Sequence, residues 1–344
     1  MKRIFLSLAI ITCAQILPCV QVPSLAQEQQ GKTVNLYVGT TSGGGYDVYA
    51  RVLARYWGRY LPGNPAFVVK NMPGAGGLTM ANYIYNQSPR DGSEIATMQS
   101  GVVFEKLYHT LSPGGANARF EAEKFGWIGS ALRSTYVTIT WHDSPVKTLE
   151  DAKYKDAVLG ASTTSSDNFL LAVLGNKLLG TKFRIVHGYQ GSTATDLAIE
   201  RGEINGAAGK DWTTLTTSRP DWLKDKKVNI IVQMGMQKHP AIPDVPSALD
   251  LAANEDDRRM MELVFAKFNL SRPFFGPPQM SAQTLDQFRK SFVSVLKDKD
   301  FLQEADKTGM EIDPVYGQEA QELVARLLKT PESQAQKMRE LLKL

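Results

Sequence analysis

The chain has 344 residues, and its 39 Lys and Arg nearly balance its 35 Asp and Glu, for a formal net charge of +4. This near balance argues against nucleic-acid binding, which requires a concentrated basic surface. The only two cysteines, Cys13 and Cys19, lie near the N-terminus, so the rest of the chain has no disulfide, thiol nucleophile or cysteine metal ligand.

The N-terminal segment has the order of a secretory signal peptide. Lys2 and Arg3 precede a short apolar run, and Ser24-Leu25-Ala26 supplies the small residues of a cleavage site. The apolar run is too short and too interrupted to span a membrane. We therefore expect residues 1–26 to be a signal peptide that is cleaved near Ala26, and the mature protein to be periplasmic.

Beyond this segment, strand patterns and helix patterns alternate along the chain. The predicted strands cover residues 33–39, 66–70, 94–99, 157–161, 183–187 and 228–234, with two further strand-like stretches within 127–141. The predicted helices cover residues 47–60, 78–87, 168–179, 193–201, 253–266, 282–297, 318–328 and 332–342. Repeated strand-turn-helix units predict an α/β fold with a parallel or mixed sheet that helices cover on both faces.

The middle of the chain repeats the rhythm of its beginning, which indicates a second α/β domain inserted within the first. We predict that domain 1 is discontinuous and comprises residues 27–133 and 236–344, and that domain 2 comprises residues 134–235.

Four loops follow predicted strands and precede predicted helices, two in each domain. They cover residues 39–47, 71–77, 162–168 and 188–192. Ligands of open α/β sheets settle at the carboxyl ends of strands, where loop amides and helix N-termini converge. The same loops are also explained by tight turns, close helix–strand packing or helix capping, so each alone is a weak signal.

The candidate ligand-binding residues supply hydroxyls, flexible backbone or an aromatic ring from these loops, together with one carboxylate. They are Thr40, Ser42, Gly43, Gly44, Ala75, Thr163, Ser165, Ser166, Tyr189 and Asp211. Asp211 follows a short predicted strand at 204–208 and suits a ligand hydroxyl or amine, although it is equally suited to cap the next helix. Because the four loops contain no basic residue, we expect most of the positive potential of the site to come from helix dipoles and hydroxyls.

The sequence contains no recognisable catalytic or metal-binding motif. The four histidines, His109, His142, His187 and His239, show no H-E-x-x-H or similar metal spacing. No G-x-S-x-G motif is present, and no pair of carboxylates can be assigned general acid and base roles. We therefore predict no catalytic residue, no metal site and no cofactor.

Several motifs occur in a fixed order and carry a family resemblance. They are Gly44-Gly45-Tyr46-Asp47-Val48-Tyr49-Ala50-Arg51, Asn71 to Gly77, Pro89-Arg90-Asp91-Gly92, Tyr189-Gln190-Gly191, Ala198 to Ile204 and Ile242-Pro243-Asp244-Val245-Pro246. Over nearly all of the mature chain the sequence resembles the substrate-binding proteins of tripartite tricarboxylate transporters, also called the Bug family. It departs from the family pattern at Asn168, near a common His position, and at Gln190, where the family has Lys.

The resemblance implies a two-domain periplasmic-binding-protein fold of type II-like form with a central ligand cleft. It also implies a monomer that is not an enzyme, that closes on a small carboxylate and that delivers it to membrane transporter subunits. Two alternatives stay open at this point: a ligand-binding module of a sensor or chemoreceptor, and a secreted α/β enzyme.

Overall fold

The computed structural model describes residues 33–74, 77–104, 118–162, 166–189 and 191–342. Within them the strands form two mixed sheets, and the helices pack on those sheets. The strands are β1 (Thr33–Val38), β2 (Ala66–Asn71), β3 (Glu94–Thr97), β4 (Gly126–Ser130), β5 (Tyr136–Trp141), β6 (Ala157–Ala161), β7 (Phe183–His187), β8 (Gly206–Asp211), β9 (Val228–Met234), β10 (Pro273–Gly276) and β11 (Val315–Tyr316).

The helices of the described part are α1 (Gly45–Trp57), α2 (Leu78–Asn86), α3 (Ser100–Val103), α4 (Leu149–Tyr154), α5 (Asp167–Leu178), α6 (Ser192–Glu200), α7 (Trp212–Ser218), α8 (Pro220–Lys224), α9 (Glu255–Phe265), α10 (Ala282–Val295), α11 (Lys299–Lys307), α12 (Gly317–Leu328) and α13 (Glu332–Leu342). Short 3-10 helices cover Gly58–Tyr60, Ala122–Lys124, Leu249–Leu251 and Ala266–Leu270. No helix of these described segments is both long enough and apolar enough to cross a membrane.

The first sheet has six strands in the order β11-β4-β10-β3-β1-β2. β1 is parallel to both β2 and β3, whereas β10 is antiparallel to β3 and β4. Because β10 runs against its neighbours, the residue just before it lies at the edge where β1 and β3 end. That residue is Arg272.

The second sheet has five strands in the order β7-β6-β8-β5-β9. β6 is parallel to β7 and β8, and β5 is antiparallel to β8 and β9. All five strands fall between β4 and β10 in the sequence, as expected for an insertion. The predicted domain boundaries stay a prediction, because sheet membership does not fix them and the C-terminal α13 packs against α5.

Two segments connect the sheets, residues 131–135 and 268–272, and we call them the crossing segments. Their backbones are hydrogen-bonded to each other: Ala131 N–H donates to the Arg272 carbonyl (2.9 Å), and Ser271 N–H donates to the Leu132 carbonyl (3.1 Å). The hydroxyls of Ser134 and Ser271 are 2.6 Å apart. The passage between the sheets is therefore a short two-stranded ribbon, which is a suitable place for a hinge.

The packing of α1 and α10 on the six-stranded sheet centres on Trp57, which has no exposed surface. The ring of Trp57 stacks on Phe67 at 5.3 Å and meets Phe274 edge to face at 5.3 Å. Its Nε1–H donates to Ser291 Oγ at 2.8 Å, so burial leaves no polar atom of the indole unsatisfied. This cluster fixes α1, and hence the loop before α1, on the sheet.

Most of the predicted elements are confirmed within a few residues, including β6, β7 and β9 at the predicted bounds. The strand predicted at 204–208 was misplaced, since β8 runs from Gly206 to Asp211. Gly209 within it has φ +63°, and a Cβ there would lie 2.7 Å from Asn168 Cα. The glycine and a bulge against β5 hide the alternation that usually marks a strand.

Replacement of Trp57 by alanine should lower the free energy of unfolding by about 4 kcal/mol, because it removes a large buried ring and leaves a cavity. Urea denaturation of the wild type and the variant measures this difference. As a control, Ser291→Ala removes only the partner of the indole N–H and should cost about 1–3 kcal/mol. Equal losses in the two variants would contradict the central role assigned to the ring.

Candidate functional site

The four candidate loops have the predicted strand-to-helix context. Residues 39–44 connect β1 to α1, and residues 72–77 connect β2 to α2; β1 and β2 are parallel neighbours. Loops 162–166 and 188–191 follow β6 and β7, which are parallel neighbours in the other sheet. Each sheet therefore presents two adjacent loops at the carboxyl ends of its strands.

Asp47 holds the first two loops together from the first turn of α1. Its Oδ2 accepts from the Gly43 N–H (2.8 Å), the Ser42 hydroxyl (3.4 Å) and Arg51 Nε (2.8 Å). Its Oδ1 accepts from Asn71 Nδ2 at 2.8 Å. Asp47 is thus the third residue of the helix and not its N-cap, which is Gly44.

Asn71 completes the connection between these loops. Its Nδ2 also donates to the Thr40 carbonyl (3.0 Å), and its Oδ1 accepts from Arg51 Nη2 (2.8 Å). Gly43 has φ +87°, a left-handed conformation that glycine adopts without strain. The Ser42 hydroxyl and the Gly43 amide are therefore engaged by Asp47, while the Thr40 hydroxyl reaches only the Thr41 carbonyl at 3.4 Å.

The other two loops also contact each other. Gly188 N–H donates to the Ser162 carbonyl (2.9 Å), and Tyr189 N–H donates to the Ala161 carbonyl (3.3 Å). The Ser166 hydroxyl donates to Asn168 Oδ1. The Tyr189 ring is half-buried against the core of the five-stranded sheet, close to Gly160. Contacts with that core therefore explain the position of the Tyr189 ring.

Three of the predicted site residues, Ala75, Thr163 and Ser165, lie outside the described residues. Asp211 ends β8 and caps α7, where its Oδ1 accepts from the Thr214 N–H (2.8 Å) and the Thr214 hydroxyl (2.9 Å). The capping alternative is therefore confirmed for Oδ1. Its other oxygen, Oδ2, is buried and has no hydrogen-bond partner in the described part of the chain.

The structure places a cation beside the first loop that the sequence analysis missed. Arg272 is only 7% exposed, and its Nη1 donates to the Ser271 carbonyl (2.8 Å) and hydroxyl (3.0 Å). A Cβ at Gly45 would lie 3.1 Å from Nη2, so the guanidinium lies against the N-terminus of α1. Its carbon is 4.7 Å from the Tyr46 ring centre and 5.1 Å from that of Tyr49.

This guanidinium lacks the partner that a buried charge normally has. Its Nε is buried without a hydrogen bond, and no carboxylate of the described residues lies within 4.0 Å of it. The N-terminus of α1 adds a partial positive charge at the same place. A buried cation is costly unless an anion compensates it, so the arrangement favours a negatively charged group here.

Residues of both sheets shape the electrostatics around Arg272. Burial acts to lower the pKa of Arg272, but Tyr46 and Asp211 act to raise it, and the result is above its ordinary value. Burial raises the pKa of Tyr136 well above its ordinary value, with further contributions from Asp167 and Asp211. The tyrosines are therefore neutral hydroxyls that can donate or accept.

Contacts between the two sheets surround this point. Glu311, which precedes β11, accepts from the Thr213 hydroxyl of α7 and lies 2.7 Å from His239 Nε2. Its backbone carbonyl accepts from the Tyr49 hydroxyl at 2.7 Å. Partial burial acts to raise the pKa of Glu311, but the hydrogen bonds from His239 and Thr213 hold it below its ordinary value.

A second contact joins α5 to the 3-10 helix Ala266–Leu270, which leads into a crossing segment. Lys267, only 3% exposed, forms an ion pair with Asp167 in the first turn of α5. Together with the Glu311 contacts, it links α5 and α7 to the chain segments just before β10 and β11.

Sequence reasoning missed Arg272 because it lies in no strand-to-helix loop. It precedes a short strand that begins with proline, and only the antiparallel pairing of β10 brings it to the loops. In the sequence, the available signal was a lone basic residue in Ser271-Arg272-Pro273 before an apolar stretch. Arg272 therefore adds a charged side chain to the helix dipoles and hydroxyls that were expected to supply most of the positive potential. In the described segments no cluster of three or more His, Cys, Asp or Glu could hold a metal ion.

Comparison with known proteins confirms the resemblance that the motifs indicated. A Cupriavidus necator protein described as "UPF0065 protein in gbd 5'region" is 22% identical over 289 residues, 83% of this chain and 82% of that protein. A TctC solute binding protein from Polaromonas superposes with a TM-score of 0.66 at 18% identity, covering 90% of this chain and 97% of the other. An R. palustris protein solved with adipate gives 0.63 at 17% identity, covering 90% and 97%.

No model of a protein family matches the chain. The superpositions show that the chain has the two-sheet α/β fold of periplasmic solute-binding proteins.

Asp47 should make stability depend on pH in the acid range. Although burial acts to raise it, the bonds from Arg51, Gly43 and Asn71 lower the pKa of Asp47 from 3.8 to about 2. The carboxylate therefore stabilises the fold above pH 4, and this contribution is lost as the pH falls toward 2. We expect Asp47→Asn to cost about 2 kcal/mol near neutral pH and progressively less below pH 4.

Urea denaturation of the wild type and the variant across this pH range measures the difference. Asp143→Asn, at an exposed position, is the control and should change stability little at any pH. A cost of Asp47→Asn that does not shrink in acid would show that the carboxylate charge is not what joins the two loops.

Proposed function

We propose that the chain is an exported solute-binding protein that captures a small carboxylate between two lobes and delivers it to the membrane subunits of a tripartite tricarboxylate-type transporter. It catalyses no reaction on that solute. The observation that carries this proposal is the buried Arg272 guanidinium, which lies beside the loop before α1 and has no carboxylate partner among the described residues.

The chemistry of the surroundings favours a carboxylate over other solutes. A carboxylate accepts two parallel hydrogen bonds from a guanidinium, and in Arg272 the Nε, which no described residue accepts from, and the Nη2 beside Gly45 form such a pair of donors. The N-terminus of α1 favours the same negative charge. A neutral sugar or a cationic amine would leave the buried guanidinium uncompensated.

Capture would proceed by closure of the two lobes about the crossing segments. The lobes would follow the predicted domains, residues 27–133 with 236–344 and residues 134–235. A ligand that contacts both lobes stabilises the closed state by its differential affinity for that state. The contacts of Glu311 with Thr213 and His239, and of Lys267 with Asp167, are the type of bond that forms on closure.

The remaining predicted residues would complete the site around the carboxylate. Backbone and hydroxyl groups of Thr40, Ser42, Gly43 and Gly44 would border it from the first sheet. Ala75, Thr163, Ser165, Ser166 and Tyr189 would contribute from the other loops, directly or through water.

The solved structures support this assignment. One similar structure is named as a solute binding protein, one was solved with adipate, and another is named as a periplasmic binding protein. The alternatives of a sensor module and a secreted enzyme gain no specific support from the described residues.

Replacement of Arg272 should abolish carboxylate binding while the fold persists. We expect short-chain mono- and dicarboxylates to raise the melting temperature of the wild type, and Arg272→Gln to weaken the tightest of them by about a hundredfold. Arg272→Lys should give an intermediate loss, because lysine keeps the charge but not the planar fork. Thermal shift and isothermal titration calorimetry measure these effects.

The matched control is Arg59→Gln, which removes an exposed arginine that pairs with Asp298 and Asp300. It should leave carboxylate affinity unchanged. Stabilisation of the wild type by sugars or amines but by no carboxylate would refute the proposal, as would full carboxylate affinity in Arg272→Gln.

Export makes a separate prediction. The full chain expressed in a Gram-negative host should yield a periplasmic form whose N-terminus, by mass spectrometry, is Gln27. Ala26→Arg, which places a large charged residue at the cleavage site, should cause the uncleaved precursor to accumulate. A cytoplasmic, full-length product from the unaltered chain would contradict the signal-peptide assignment.

A further inference from the structure

We infer that Asp211 selects ligands that carry a hydrogen-bond donor, a hydroxyl or an ammonium group, in addition to the carboxylate. The inference rests on the proposed function, since it takes Arg272 as the carboxylate partner. It adds a second point of recognition, contributed by the five-stranded sheet.

The backbone pairing places Asp211 on the side of its sheet that faces Arg272. Asp211 is the register partner of Tyr136 in the antiparallel pair β5–β8. Directly paired residues point to the same face of a sheet, and the Tyr136 ring lies 4.2 Å from that of Phe268. Phe268 belongs to the same crossing segment as Arg272. The Asp211 carboxylate therefore lies on the face of β8 that is directed toward this crossing segment.

The two carboxylate oxygens of Asp211 have different roles. Oδ1 accepts both hydrogen bonds of the α7 cap, from the Thr214 N–H and the Thr214 hydroxyl. Oδ2 is buried and accepts no hydrogen bond from any described residue. By contrast, the buried capping residue Asp298 uses both oxygens, since its Oδ2 accepts from the Tyr60 hydroxyl. A buried acceptor without a donor is a cost that a ligand can relieve.

The unsatisfied atoms of the two residues are complementary. Among the described residues, Arg272 Nε is a buried donor without an acceptor, and Asp211 Oδ2 is a buried acceptor without a donor. They do not satisfy each other, because among the described residues Arg272 forms no ion pair within 4.0 Å. A ligand with a carboxylate at one end and a donor group nearby satisfies both, and an ammonium group would also balance the charge of Asp211.

The test compares matched sets of short-chain acids, each consisting of an unsubstituted acid, its hydroxy derivative and its amino derivative, for example succinate, malate and aspartate. In calorimetric titrations of the wild-type protein, the hydroxy or the amino derivative should bind about tenfold tighter than the unsubstituted acid, or better. Whichever derivative gains more affinity over the unsubstituted acid shows whether the site prefers a hydroxyl or an ammonium donor.

The decisive variant is Asp211→Asn, because asparagine caps helices as well as aspartate does and should preserve α7. It should remove the tenfold preference for the donor-bearing acid and leave the affinity for the unsubstituted acid within about threefold. The matched control is Asp298→Asn, which alters the N-cap of α11. It should retain the wild-type preference.

The outcomes separate this inference from the function on which it rests. Carboxylates that bind without preference for a donor group would overturn the role of Asp211 and leave the carboxylate function intact. A preference that survives in Asp211→Asn would do the same. If no carboxylate binds the wild type, both the proposed function and this inference fail.

Discussion

The burial of one guanidinium group constrains the arrangement of the whole site. Arg272 lies between the two sheets, against the N-terminus of a helix, and its hydrogen bonds to described groups reach only Ser271. A charge in such a place is tolerated when the surroundings supply compensation. Here the rings of Tyr46 and Tyr49 and the charge of Asp211 supply part of it. A bound anionic ligand would supply the remaining compensation of the charge.

The surrounding elements keep this cation in a defined place. Trp57 anchors α1 to the six-stranded sheet, and Asp47 binds the loop before α1 to Asn71 of the neighbouring strand. Glu311 connects this side to α7 through Thr213, and its carbonyl accepts from Tyr49. Buried aromatic rings thus hold the elements together near the core, and hydrogen bonds hold them together next to the site. The polar contacts are the ones that can exchange when the sheets move apart.

The sequence predicts the parts of the fold that local patterns encode. The strands before each loop and the amphipathic helices could be located because their apolar residues repeat with the period of a strand or of a helix. β8 was misplaced because Gly209 and a bulge interrupt its alternation, and β10 was missed because it is short and begins with Pro273. Arg272 could not be predicted as a site residue because its neighbours in space come from β1, β3 and α1, which are far from it in the sequence. For Asp211 the sequence leaves capping and ligand binding open as alternatives, whereas the unsatisfied state of its second oxygen depends on tertiary burial.

The position of Arg272 within a crossing segment has a kinetic consequence. A residue near a rotation axis moves little when two bodies turn about it, whereas a residue on a distant strand travels farther. Arg272 would consequently be available to a ligand at the first encounter, and Asp211 would reach the ligand only as the lobes come together. The arginine would then govern how fast solutes are taken up, and the aspartate how long they stay. Discrimination between related acids would appear mainly as a difference in residence time.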